Sequence, residues 1–158
     1  MKAWILYNII VGFAVYWMSN LILWFPWSIN PVLGMTLMLT VSPIIWLIST
    51  FSCIRTFPKK NILIGAVYNS LIFLVIAVVM DYVFFGLIRN AMEQLYHPTT
   101  FYGYGFVASI PFIAAFGLRK KIEERKGDVR QSDFVKAGTT GLVCFGSLTL
   151  IIILGIEI

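Results

Sequence analysis

Five long apolar stretches run through the 158-residue chain and limit what it can fold into. An α-helix needs about 20 apolar residues to cross the roughly 30 Å hydrocarbon core of a bilayer, and each stretch meets or approaches that length. None shows the strict polar–apolar alternation of a membrane β-strand. Because backbone groups in lipid have to be hydrogen-bonded within the protein, we predict five helices. Their expected bounds are 3–25, 32–54, 62–88, 101–118 and 137–157.

The composition excludes a soluble fold. Hydrophobic residues make up 59% of the chain and charged residues only 12%, whereas about 25% of a typical soluble domain is charged. The mean hydropathy is +0.89. A soluble domain of this size could not bury so much apolar surface. The predicted fold class is therefore an all-α, multi-pass membrane protein, with residues 1–158 forming a single transmembrane helical domain.

Basic residues divide very unevenly between the two sides of such a bundle. If the chain crosses five times, eleven of its twelve Lys and Arg residues lie on one side and Arg89 lies on the other. Cytoplasmic segments carry the excess of basic residues in membrane proteins. We therefore predict an N-terminus inside and a C-terminus outside, in the cell (inner or plasma) membrane. The eleven residues are Lys2, Arg55, Lys59, Lys60, Arg119, Lys120, Lys121, Arg125, Lys126, Arg130 and Lys136.

The segment 119–136 combines seven basic with four acidic residues. Arg119 with Glu123, and Lys120 with Glu124, have the i,i+4 spacing of helical ion pairs, which predicts that the fourth helix continues to Gly127. The net positive charge is expected to attract anionic lipid headgroups. A nucleic-acid partner is not expected, because the chain has no additional folded domain to present the charges.

The two cysteines and the single histidine give no metal or redox motif. Cys53 and Cys144 fall in different apolar stretches, so we predict no disulfide, and His97 has no second histidine beside it. Zinc sites need several such ligands. No metal ion, cofactor or catalytic residue is predicted.

Four polar residues on different helices are expected at a similar depth, on the order of 8–11 Å from the inner ends of their spans. They predict a layer of interhelical hydrogen bonds, and an inward-facing polar site is the alternative. Two small-xxx-small pairs, Gly105 with Ser109 and Ala137 with Gly141, predict close contacts between helices. The members of the polar layer are Asn8, Ser49, Asn69 and Thr140.

Asp81 is the ionisable residue inside a predicted span, and an unpaired carboxylate there is costly. If the third helix continues outward, Arg89 and Glu93 follow Asp81 on the same face at helical spacing. His97 comes next, but Pro98 predicts a loop there. Asp81, Arg89, Glu93 and His97 are thus the candidate functional or ion-pair cluster.

Three functions fit these features. The first is a non-enzymatic structural or accessory membrane component that works with a membrane-protein partner or as a homo-oligomer. The second is a small transporter or channel that uses Asp81 as a proton or cation site. The third is a membrane enzyme that uses the candidate cluster at the outer surface, because an acid, a base and a cation are the groups that such chemistry requires.

Overall fold

A computed structural model describes residues 1–155 of the protein. It contains five helices that are long and apolar enough to span a membrane. No strand occurs in these residues, so the all-α prediction is confirmed. The end of the last predicted span, residues 156–157, lies outside the described residues. The long helices are α1 (Lys2–Ile29), α2 (Pro31–Arg55), α3 (Ile62–Asp81, continued by a π-helix over Tyr82–Ile88), α4 (Pro98–Gly117) and α6 (Gln131–Ile153). A short helix, α5 (Arg119–Glu124), and a 3₁₀-helix (Met92–Tyr96) lie in the connections.

Capping residues start two helices earlier than the apolar pattern predicts. α6 begins at Gln131 rather than at 137, because the Asp133 carboxylate accepts the Arg130 backbone N–H at 3.0 Å. α4 begins at Pro98 rather than at 101, because proline suits the first helical position. The loop predicted around His97 and Pro98 is therefore reduced to His97, which lies between the 3₁₀-helix and α4.

The predicted continuation of the fourth helix to Gly127 is wrong. α4 ends at Gly117, Leu118 departs from helical geometry with φ −112° and ψ 16°, and α5 is a separate helix. The Arg119–Glu123 ion pair is present within α5, with 3.1 Å between Nε and Oε1.

Only Asn30 separates α1 from α2. Its side chain accepts the backbone N–H groups of Val32 at 3.0 Å and Leu33 at 3.3 Å, which caps α2. Gly34 lets the two helices approach closely, because a Cβ atom there would lie 2.6 Å from the Cα of Trp27. The two helices therefore form a tight antiparallel hairpin.

α1 is the central helix and packs against α2, α3 and α6. Its contact with α6 depends on Gly141, where a Cβ atom would lie 2.7 Å from the Phe13 ring and 3.1 Å from the Cα of Ala14. Gly105, in the other predicted pair, has nothing within 4 Å of that position. One small-residue pair thus lies at a close helix contact, and the other faces open space.

The two most basic connections meet at one end of the bundle, which we call the basic end. The Lys126 ammonium donates to the Lys59 carbonyl at 2.7 Å, and the Gly127 N–H donates to the Arg55 carbonyl at 3.3 Å. The segment between α5 and α6 therefore packs on the segment between α2 and α3. Arg89 lies beyond the opposite end of α3.

Candidate functional site

Asn8 of α1 and Asn69 of α3 form a buried hydrogen-bonded pair. Both side chains are fully buried, and the Asn69 amide donates to the Asn8 carbonyl oxygen at 2.6 Å. The Asn8 amide in turn donates to the Trp4 backbone carbonyl at 2.8 Å. This pair is the part of the predicted polar layer that the structure brings together.

The other two predicted members do not join this pair. Thr140 is exposed on α6, and Ser49 is half-buried on α2, whereas its neighbour Thr50 is fully buried. A one-residue step along a helix turns a side chain by about 100°, so depth alone does not decide which residue faces the bundle.

Trp4 also belongs to this polar region, which sequence reasoning missed. Its indole N–H donates to the Cys53 backbone carbonyl at 2.7 Å, which ties α1 to the last turn of α2. A buried indole N–H usually finds an acceptor. The presence of Trp4 in an apolar helix was therefore the sequence signal that could have predicted an interhelical hydrogen bond. The Cys53 thiol lies beside Asn69, so α2 also contacts the asparagine pair.

Asp81 is bound by tyrosines and not by Arg89. The Tyr16 hydroxyl of α1 donates to the Asp81 carboxylate at 2.5 Å, and the Tyr104 side chain of α4 faces the same carboxylate. A hydroxyl–carboxylate hydrogen bond of this length is of the charge-assisted kind. The carboxylate therefore links three helices. The sequence signal for Tyr16 was a hydroxyl deep in an apolar helix, but nothing in the sequence indicates its partner.

The π-helix explains why Arg89 lies elsewhere. The Arg89 N–H donates to the Phe84 carbonyl five residues back, which widens the turn and ends the regular i,i+4 series that starts at Asp81. Asn90 then has a φ of 52°, which ends the helix. The predicted shared face from Asp81 to Glu93 is therefore wrong.

Arg89 lies over aromatic rings. Its guanidinium carbon is 4.7 Å from the centre of the Trp24 ring, and the rings of Phe84 and Phe85 are 5.9 and 6.0 Å away. These distances are typical of cation–π interactions. This aromatic group fixes Arg89 against α1.

Glu93 and His97 occupy the connection before α4, and both are exposed. The His97 ring is the N-cap of α4: its Nδ1 accepts the Thr99 backbone N–H at 3.4 Å and lies 2.8 Å from the Thr99 hydroxyl. The four residues of the candidate cluster thus have separate surroundings. The geometry does not place an acid, a base and a cation around one point, as general acid–base catalysis requires.

Both cysteines are free and buried, as the prediction of no disulfide requires. Within residues 1–155, no three His, Cys, Asp or Glu side chains are grouped closely enough to hold a metal ion. The main polar features of the structure are the hydrogen bonds between helices and the basic end of the bundle.

Comparison with known proteins adds no functional assignment. No protein-family model, curated protein or solved structure matches this chain, so its function has to be inferred from the geometry of its own residues.

Proposed function

We propose that the protein is a structural or accessory component of the cell membrane, and that it works through the packing of its helices rather than through catalysis. The observation that carries this proposal is that polar groups inside the long helices are used to join one helix to another. Asn8 bonds Asn69, Tyr16 bonds Asp81, and the Ser70 hydroxyl donates to the Ala108 carbonyl at 2.9 Å. Hydrogen bonds of this kind hold membrane helices together.

The proposal includes an N-in, C-out orientation. The contact between the segment 55–60 and the segment 125–130 supports it, because it gathers basic residues from separate parts of the sequence at one end. In this proposal the bundle works with a membrane-protein partner or as a homo-oligomer.

Reporter fusions test this orientation. Fusions after Lys60 and after Arg130 are expected to report the cytoplasm, and fusions after Ile29, after His97 and after the last residue are expected to report the outside. A last-residue fusion that reads cytoplasmic would overturn the five-span arrangement.

One observation favours a transporter as the second candidate: Asp81 is a half-buried carboxylate near the end of α3, and two tyrosines lie beside it. A transporter needs a water path that reaches such a residue, and a packed bundle does not. Ala77, one turn before Asp81 on α3, is 4% exposed and reports on such a path.

Thiol labelling separates the two candidates. Cys53 and Cys144 are first replaced by alanine, and Ala77→Cys is then treated with a membrane-impermeant maleimide from each side. A packed bundle predicts no reaction from either side, while the exposed control Asp128→Cys reacts from one side. Labelling of Ala77→Cys would favour the transporter.

A further inference from the structure

Two neighbouring cavities open at the basic end and share Arg55 and Arg125. One, of about 240 Å³, lies between the end of α2 and the segment before α6, and its other charged lining residues are Lys126, Arg130, Asp128 and Asp133. The second, of about 450 Å³, lies between α2 and the junction of α4 with α5. The cavities are therefore adjacent at these two arginines, and together they form the candidate site.

The second cavity is an amphipathic groove. Its apolar wall consists of Leu47, Ile48, Phe51 and Leu118, and its charged lining residues are basic: Arg55, Lys121 and Arg125. Ile48 is 61% exposed, so this wall faces the bilayer once the helices are inserted. The groove thus passes from an apolar wall on α2 to three positive charges at the helix ends.

Arg55 lacks a partner at the centre of this site. It is the last residue of α2 and half-buried, and its Nε is buried with no hydrogen-bond partner among the described residues. Leaving a buried charged donor unpaired is costly. A guanidinium in this situation is suited to an oxyanion, since it binds phosphate through several N–H groups.

We propose that this groove binds an anionic phospholipid, with the phosphate at Arg55 and Arg125 and one acyl chain along Leu47, Ile48 and Phe51. Charge complementarity supports an anion, and the adjoining apolar wall supports a ligand that carries a hydrocarbon chain. The smaller cavity, below the roughly 300–1,000 Å³ of pockets for drug-sized ligands, suits the polar part of a headgroup. The inference rests on the proposed membrane placement, and it adds a defined site to the general attraction of the basic segment for anionic lipid.

The test measures lipid retention by the full-length protein. The chain is purified in a neutral detergent and mixed with equal amounts of dioleoylphosphatidylglycerol and dioleoylphosphatidylcholine, and bound lipid is counted by native mass spectrometry. Preferential retention of phosphatidylglycerol is expected. Equal retention of the two lipids would overturn the proposal.

Matched variants locate the lipid. Lys121→Gln and Arg125→Gln are each expected to lower phosphatidylglycerol affinity about fivefold, the effect of one basic residue near an anionic headgroup. Lys120→Gln, next to Lys121 on α5 but outside the groove lining, is expected to leave the affinity unchanged. Equal effects of Lys120→Gln and Lys121→Gln would show general charge attraction and contradict a defined site.

A second pair tests the acyl chain. Ile48→Trp is expected to fill the groove and reduce retention, whereas Ile44→Trp, one turn away and similarly exposed at 58%, is not. If excess inorganic phosphate displaces the lipid and Ile48→Trp has no effect, the ligand is free phosphate and the lipid assignment is wrong. Thermal unfolding of each variant in detergent confirms that it is folded.

These results are independent of the orientation. Fusions that reverse the orientation while lipid selectivity persists would overturn only the proposed placement. Loss of selectivity with the expected fusion pattern would overturn only the lipid site.

Discussion

At the scale of single residues, the carboxylate of Asp81 poses the largest energetic problem. A charged side chain at the bilayer centre costs at least about 2.5 kcal/mol, and less toward the boundary. The sequence placed Arg89 as the natural partner, but the Tyr16 hydroxyl bonds Asp81 and Arg89 stacks on Trp24. A hydroxyl is a suitable partner in lipid because it donates a hydrogen bond without bringing a second charge to be desolvated.

Double-mutant cycles distinguish the two partners. Asp81→Asn and Tyr16→Phe are expected to couple by about 0.5–1.5 kcal/mol, because the first weakens the charge-assisted interhelical hydrogen bond and the second removes it. Asp81→Asn and Arg89→Gln are expected to be additive, since they break separate interactions. Thermal unfolding in detergent measures both cycles, and coupling of Asp81 with Arg89 alone would contradict the tyrosine assignment.

The asparagine pair gives a second residue-scale prediction. Asn69→Ala leaves the buried Asn8 carbonyl oxygen without its donor, so a loss of about 1–3 kcal/mol in unfolding free energy is expected. Thr140→Val is the matched control, because Thr140 is exposed, and a change within about 0.5 kcal/mol is expected. The measurement is reversible denaturation in mixed micelles. Equal losses in the two variants would mean that burial does not decide the effect.

At the scale of elements, apolar length predicted where helices exist but not where they begin and end. The start of α3 at Ile62 was predicted, and Asn61 caps it by accepting the Leu63 N–H at 3.0 Å. The starts of α4 and α6 were misplaced, because capping groups lie outside the apolar run. The π-helix could not be predicted, since residues 82–88 have the same apolar character as the α-helix before them.

Glycine substitutions test the helix contacts. Gly141→Leu is expected to destabilise the protein by about 1–3 kcal/mol, because the new side chain meets the Phe13 ring and the α1 backbone. Gly105→Leu is expected to be neutral or stabilising, because the space beside it is open and glycine weakens a helix. The two variants are compared by their melting temperatures in the same detergent. A greater loss at Gly105 would contradict the packing of α6 on α1.

At the scale of the whole molecule, the five helices long and apolar enough to span a membrane were predictable from the sequence, but their arrangement was not. Helices that are apolar all round have no stripe that marks the inward face. In a bilayer the lipid is as apolar as the core, so apolar residues do not report which side is buried. The central place of α1, and with it the roles of Trp4, Tyr16 and Trp24, therefore required the structure.

Charge placement gives a prediction at this scale. Ser28→Lys adds a positive charge to the uncharged last turn of α1, which the proposed orientation places outside. We expect less correctly inserted protein, because basic residues favour the cytoplasmic side. Ser132→Lys adds the same charge at the basic end and is expected to have no effect. Protease protection of membrane vesicles measures both, and equal insertion of the two variants would count against the orientation.

The π-helix between Tyr82 and Ile88 has an evolutionary consequence. Each of its turns holds more residues than an α-helical turn, as the bond from Arg89 to Phe84 shows. Loss of one residue there would let the stretch return to α-helical bonding, at the cost of Arg89's position over Trp24. The same loss within 62–81 would rotate Asp81 by about 100° and remove it from Tyr16. Single-residue insertions and deletions among descendants of this chain should therefore accumulate in 82–88 before they appear elsewhere in the third span.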